Sequence, residues 1–165
     1  MIQIKWNWVM IDMAMDGLSL CAITSELQRL VGGKIDKVQQ PERDALLFSV
    51  RTRAETCMLY LSASAENCRV QLTGIKRQNP QEPPMFCMLL RKRLGGGRIA
   101  GIEQIDMDRR INIIIETQNE LGENVAYTLA VEIMSRHSNI ILIDENGTVI
   151  DAIKRVNPSM SSVRP

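Results

Sequence analysis

Pro83-Pro84-Met85-Phe86-Cys87-Met88-Leu89-Leu90-Arg91-Lys92-Arg93-Leu94-Gly95-Gly96-Gly97 is the stretch around which the chain is organised. Pro84 suits a first helical position, where its missing N–H has no partner to lose, and nothing breaks a helix again until Gly95. At 100° per residue, Met85, Phe86, Cys87, Met88, Leu89, Leu90 and Leu94 spread round nearly the whole circumference, which predicts a helix covered on most sides. Only the last turn is polar. Arg91, Lys92 and Arg93 sit where the helix dipole is negative and can reach outward on apolar stems, so this tip is a candidate anion contact.

Outward from this helix, the glycines open a segment met once before. Gly32-Gly33-Lys34-Ile35-Asp36-Lys37-Val38-Gln39-Gln40 aligns with Gly96-Gly97-Arg98-Ile99-Ala100-Gly101-Ile102-Glu103-Gln104 at an offset of 64 (96 minus 32). The earlier copy also follows a helix, predicted over Leu18 to Val31 from the spacing of Leu20, Ile23, Leu27 and Leu30, with Asp16 as a candidate N-cap and Gly32 as the stop. Short β-rich runs follow each copy: Ala45–Arg51, Met58–Ala63 and Arg69–Thr73 in the first half, and Arg110–Thr117, Val125–Met134, Asn139–Asp144 and Thr148–Lys154 in the second. Pro41 to Asp44 and Asp106 to Arg109 read as matching turns. Gly74 to Gln81 reads as a loop carrying Lys76 and Arg77. The expected fold class is α+β: a two-layer antiparallel β-sandwich of about eight strands flanked by two helices.

Composition narrows the function classes. The 165 residues are 45% hydrophobic and 24% charged, enough for one globular domain with a real core. With 20 Lys plus Arg against 19 Asp plus Glu, net charge selects no partner, so electrostatics depends on where charges sit. Cys21, Cys57, Cys68 and Cys87 form no C-x-x-C pair and lie within apolar patterns, so buried reduced thiols in a cytoplasmic protein are expected rather than disulfides or zinc. No apolar run approaches the roughly 20 residues that span a bilayer. Residues 1–12 hold both Trp residues and precede further Met starts at Met13 and Met15; they read as a leader, with the domain proper over 13–165.

Several longer strings carry a family resemblance. Met-Asp-Gly-Leu from Met15, Gly-Gly-Lys-Ile-Asp-Lys-Val-Gln-Gln-Pro from Gly32, Pro-Pro-Met-Phe-Cys-Met-Leu-Leu-Arg-Lys from Pro83, Met-Asp-Arg from Met107 and Glu-Ile-Met-Ser-Arg-His-Ser-Asn-Ile-Ile-Leu from Glu132 resemble the N-terminal NFACT domain. That family includes bacterial RqcH, eukaryotic NEMF and proteins called fibronectin-binding protein A. The chain departs from it at Ser135, where the family usually has Gly. The resemblance implies a fold similar to the N-terminal domain of formamidopyrimidine-DNA glycosylases, without their proline nucleophile, since Met-Asp-Gly offers no such amine. It also implies a truncated piece of a longer, ribosome-associated quality-control factor. Such a factor binds stalled large ribosomal subunits and tRNA, and supports C-terminal alanine tailing of nascent chains. On this reading the chain is not an enzyme and needs no cofactor or metal. Its partners are tRNA and large-subunit RNA. A fibronectin-binding surface adhesin is the alternative, and a nucleic-acid-processing enzyme on the glycosylase fold a third reading.

The candidate contacts follow. Asp108 and Arg109 match the family's Asp-Arg pair, implicated in tRNA engagement. An exposed Arg can pair with phosphate or stack on a base, with the carboxylate orienting it. An ordinary polar turn is the competing reading. Arg136-His137-Ser138-Asn139 joins two strands. A hydrolytic reading fails there because adjacent residues point apart, whereas a nucleophile must face its base. Arg136 is the candidate phosphate contact. His137 and Asn139 are either RNA contacts or backbone hydrogen-bonders across the turn. Arg91, Lys92 and Arg98 complete the candidate RNA-binding set, while Lys34, Lys37, Lys154 and Arg155 are further basic residues at element ends. Aromatic content is only 4%, and Phe48 and Phe86 sit in core patterns, which argues against readout by aromatic stacking.

Overall fold

The computed structural model describes residues 17–74, 79–105 and 109–155. Helix α1 (Gly17–Leu27) runs into a 3-10 turn at Gln28–Leu30. Four strands follow: β1 (Lys34–Glu42), β2 (Ala45–Arg51), β3 (Thr56–Ser62) and β4 (Arg69–Thr73). Helix α2 (Met85–Leu94) opens the second half, which continues as β5 (Arg98–Gln104), β6 (Arg110–Gln118), β7 (Asn124–Glu132), a 3-10 turn at Ser135–His137, β8 (Asn139–Ile143) and β9 (Val149–Ala152). Every strand pairs antiparallel with its sequence neighbour within each half, and the two meanders join at β1 and β5, giving the order β4-β3-β2-β1-β5-β6-β7-β8-β9.

That join displays the internal repeat. Gly32 N donates to Ile99 O at 2.7 Å and Gly96 N donates to Ile35 O at 3.0 Å, while Ile35 N donates to Gly97 O at 2.8 Å and Ile99 N donates to Gly33 O at 2.9 Å. Exchanging the halves by the offset of 64 turns each of these pairs of bonds into itself, so a pseudo-two-fold axis runs between β1 and β5. Each half also carries a β-bulge at the same place, between Ile35 and Lys37 in β1 and between Ile99 and Gly101 in β5. The glycines are required sterically. Gly32 and Gly96 have φ of +88° and +79°, and a Cβ on Gly33 or Gly97 would come within 2.6 Å of Val50 Cγ1 or 2.9 Å of Ile115 Cγ2.

Alternation along the strands builds the core. In β6, Ile111, Ile113 and Ile115 are buried, with less buried residues between them. Ile35, Phe48, Val50 and Leu59 from the first half meet Ile99, Ile113, Ile115 and Leu129 from the second around one small apolar space. The two inner faces thus pack against each other as the layers of a sandwich, built from nine strands among the described residues.

Helix α2 departs from expectation. It buries only Phe86, Cys87, Leu90 and Leu94, while Met85 and Met88 are 72% and 57% exposed. Its contacts lie on one side, against β1 and β6. A count of apolar residues round a helical wheel does not say which face meets a neighbour, and large apolar side chains are not obliged to be buried. Cys21 is exposed as well, against the expectation for the cysteines, while Cys57, Cys68 and Cys87 are buried and all four are free. The leader, the candidate cap Asp16, and Lys76 and Arg77 lie outside the described residues.

Candidate nucleic-acid interface

The β6–β7 hairpin places the first group of candidates. Arg110 pairs with Glu132 in the ladder, and Ile133 N donates to Arg109 O at 2.8 Å, extending the pairing by one rung. Arg109, which is exposed, is therefore held beside the turn leaving β7. Asp108 lies outside the described residues.

That turn is built from within. Ser138 Oγ accepts from Met134 N at 2.8 Å, and His137 N donates to Met134 O at 2.9 Å. Ser138 and Asn139 are buried, leaving Arg136 and His137 exposed at the apex. Despite the Ser at position 135, the segment closes as one 3-10 turn. Asn139 is turned inward. Its Oδ1 accepts from Ile140 N at 2.9 Å and from Lys154 N at 3.0 Å, and its Nδ2 donates to Lys154 O at 3.0 Å. Its amide is committed to the backbone, the alternative left open by the sequence.

The same bonds bring Lys154 and Arg155 to this end of the sheet. Arg155 donates from Nε and an Nη to the two oxygens of Asp151 at 3.1 and 3.0 Å. These bonds hold the guanidinium in a fixed plane and push its pKa up. Arg110 Nε donates to Asn112 Oδ1 at 3.0 Å. Arg109, Arg136, His137, Lys154 and Arg155 thus cluster where β6 starts, β7 ends and β9 finishes.

The helix-tip candidates lie elsewhere. Lys92 pairs with Glu120 at 3.5 Å, and Arg93 donates to Tyr127 Oη at 3.2 Å, both next to the β6–β7 turn. Arg98 stands opposite Glu116 in the ladder, two residues from the end of β6. β6 has nine residues, so at about 3.3 Å per residue its two ends are about 25 Å apart. Arg91 is structural in geometry. Its Nε donates to Val38 O at 2.8 Å, beside the Cys87 thiol at 3.6 Å from the same oxygen, and the two fasten α2 to β1. The sequence candidates therefore fall into two groups at opposite ends of the second meander: Arg109, Arg136, His137 and the inward-turned Asn139 at one, Lys92 and Arg98 at the other. The Asn139–Lys154 tie was not legible as part of this end, because it spans 15 residues and depends on strand pairing, whereas the Ser138 bond to Met134 N is local to the turn.

Among the described residues, no cluster of three or more His, Cys, Asp or Glu side chains is arranged to hold a metal ion, and no helix is long and apolar enough to cross a membrane.

Comparison with known proteins agrees with this architecture. Residues 16–165 match the family described as NFACT N-terminal and middle domains. The chain is 44% identical over 154 residues to the Rqc2 homolog RqcH of Bacillus subtilis, covering 92% of this chain and 27% of that protein. It is 26% identical over 151 residues to the archaeal Rqc2 homolog of Methanocaldococcus jannaschii, covering 90% of this chain and 22% of that protein. Among solved structures, the N-terminal domain of the fibronectin-binding protein PavA from Streptococcus pneumoniae superposes with a TM-score of 0.87 at 40% identity, covering 90% of this chain and 57% of that one. The N-terminal part of the fibronectin/fibrinogen-binding protein of Streptococcus suis gives 0.88 at 41% identity, covering 91% and 57%. The chain spans about a quarter of the length of the curated relatives.

Proposed function

We propose, since the chain belongs to the family of NFACT N-terminal and middle domains, that it acts as an RNA-binding module of a ribosome quality-control factor. In this role it engages tRNA and the RNA of stalled large ribosomal subunits without making or breaking bonds, and so supports C-terminal alanine tailing of nascent chains. The observation that carries this reading is the rung between Ile133 N and Arg109 O, which sets Arg109 beside the exposed apex of Arg136 and His137. Guanidinium groups on fixed backbone are suited to the phosphates of a folded RNA, whose spacing a mobile lysine meets at greater entropic cost. Asp108, adjacent in sequence, is assigned to orienting Arg109. The ribosome-associated names of the relatives support the same role.

The test is binding of deacylated tRNA to the purified chain across a salt series. Arg109→Ala combined with Arg136→Ala weakens binding across the series if the reading is right. Lys92→Ala combined with Arg98→Ala, at the far end of the hairpin, leaves it in place.

The fibronectin-binding names of two similar solved structures support a second reading, an adhesin. Tight fibronectin binding at physiological salt, together with no measurable affinity for tRNA, would replace the RNA reading with that one.

A further inference from the structure

The pseudo-two-fold allows one half of the molecule to serve as a control for the other. Ile23, Thr24 and Leu27 of α1 correspond in inward position to Phe86, Cys87 and Leu90 of α2, an offset of 63, with the 3-10 turn after α1 taking up the difference from 64. The outward counterparts of Met85 and Met88 are then Ala22 and Ser25 (85 minus 63, 88 minus 63). At these two outward positions one helix carries small side chains and its copy two long apolar ones. The fold does not require them, because α1 does without.

Met85 forms part of a groove. Its walls are the β1–β2 turn from Gln40 to Arg43, the start of α2 at Pro84 and Met85, and the end of β9 at Ile153 and Arg155. Gln40 is only 5% exposed. Its Nε2 donates to Arg43 O at 3.0 Å, and its Oε1 is buried with no hydrogen-bond partner. An unfilled buried acceptor favours a ligand that brings an N–H donor over one that is wholly apolar. Cations flank the groove. The side chain of Arg155 is 65% exposed although Asp151 fixes its plane, and Arg43 is exposed on the turn. Glu42, the acidic group on the wall, accepts from Tyr60 Oη at 3.1 Å. Lys154, between the groove residues Ile153 and Arg155, is tied to Asn139, which closes the turn carrying Arg136.

We propose that this groove receives one unpaired nucleotide of the RNA, its base lying on Met85 and the Arg155 plane, its exocyclic amine directed to Gln40, and its phosphate meeting Arg43. The proposal rests on the RNA reading above and adds a subsite to it. Folded RNA is read by a protein chiefly where bases are unstacked, and a guanidinium plane or apolar side chain then replaces the lost base neighbour. Adenine, cytosine and guanine carry the amine, and uracil does not.

The experiment uses the chain as it is, with three RNAs: a blunt hairpin, the same hairpin with a three-adenosine 3′ extension, and the same with a three-uridine extension. The adenosine extension should tighten binding about tenfold over the blunt hairpin, as expected for one well-seated base, and the uridine extension by less. Met85→Glu, at a side chain 72% exposed, and separately Arg43→Ala, should each abolish that preference and leave the affinity for the blunt hairpin unchanged. Equal binding of blunt and extended RNAs by the unaltered chain overturns the subsite and leaves the RNA reading standing. So does a Met85→Glu chain that keeps the preference, or one that changes only self-association and so assigns the face to a protein partner. Failure to bind any of the three overturns both.

Discussion

Asn139 and Lys154 exchange two hydrogen bonds of the same length, 3.0 Å, the side-chain amide of one serving as a peptide group for the backbone of the other. This tie carries the end of β9 and sets Arg155 close to the Arg136 turn. Asn139→Leu keeps the volume but takes this partner from the part-buried N–H and C=O of Lys154 and from the buried N–H of Ile140, which costs roughly 2–3 kcal/mol. Urea unfolding should show that loss, and hydrogen exchange should place the new opening at 152–155. A variant as stable as the parent would show that Lys154 needs no such anchor.

Gly33 and Gly97 are predicted to resist replacement, alongside Gly95, where a Cβ would meet Arg91 O at 2.5 Å. A Cβ at Gly33 meets Val50 Cγ1 at 2.6 Å and Leu30 O at 2.9 Å, and one at Gly97 meets Ile115 Cγ2 at 2.9 Å and Leu94 O at 3.0 Å. Either change to Ala should destabilise by about 1–3 kcal/mol, since backbone oxygens cannot rotate away. Gly74, with open space around it, is the control and should tolerate Ala in the same thermal melts.

If Arg109 and Arg136 each neutralise one RNA phosphate, the double alanine variant should flatten the slope of log affinity against log salt by about two units. The variant Lys92→Ala should leave the slope unchanged, because Lys92 already pairs with Glu120 near the opposite end of the hairpin. Filter binding between low and moderate salt reads both.

Cysteine reactivity follows from burial. Under native conditions at about pH 8, iodoacetamide should modify Cys21 first among the four, with Cys57, Cys68 and Cys87 following only on unfolding, as peptide mass spectrometry would show. Burial pushes the Cys87 thiol up, with Arg91 acting in the opposite direction. The folded state therefore holds this proton more tightly than the unfolded chain, and the stability it contributes is full below the ordinary thiol value of 9.0 and declines as pH rises above it. Cys87→Ala should flatten that alkaline decline in denaturant midpoints while lowering stability overall.

The strands were legible because alternation and turn residues are local: Ile111, Ile113 and Ile115 announce a half-buried strand by spacing alone. The repeat was legible too, since the double-glycine motif recurs at a fixed offset. The environment of α2 was not. Its wheel is apolar almost all round, and only the placement of β1 and β6 on one side decides that Met85 and Met88 remain outside. The candidate site was half legible. Arg109 and Arg136 could be named from motifs, but whether they stand near Arg98 or far from it depends on the length and direction of β6. No local pattern assigns Arg91 to Val38 O, a contact across 53 residues.

The junction of β1 with β5 has a further meaning. Its backbone bonds are made by two equivalent edges, each donating what the other accepts, so either half could in principle seal against a second copy of itself by the same contacts. The present chain has the form of a tethered dimer. Within such an arrangement one subunit can keep a plain exterior while its twin diverges toward recognition, and the differing outer faces of the two helices follow that division.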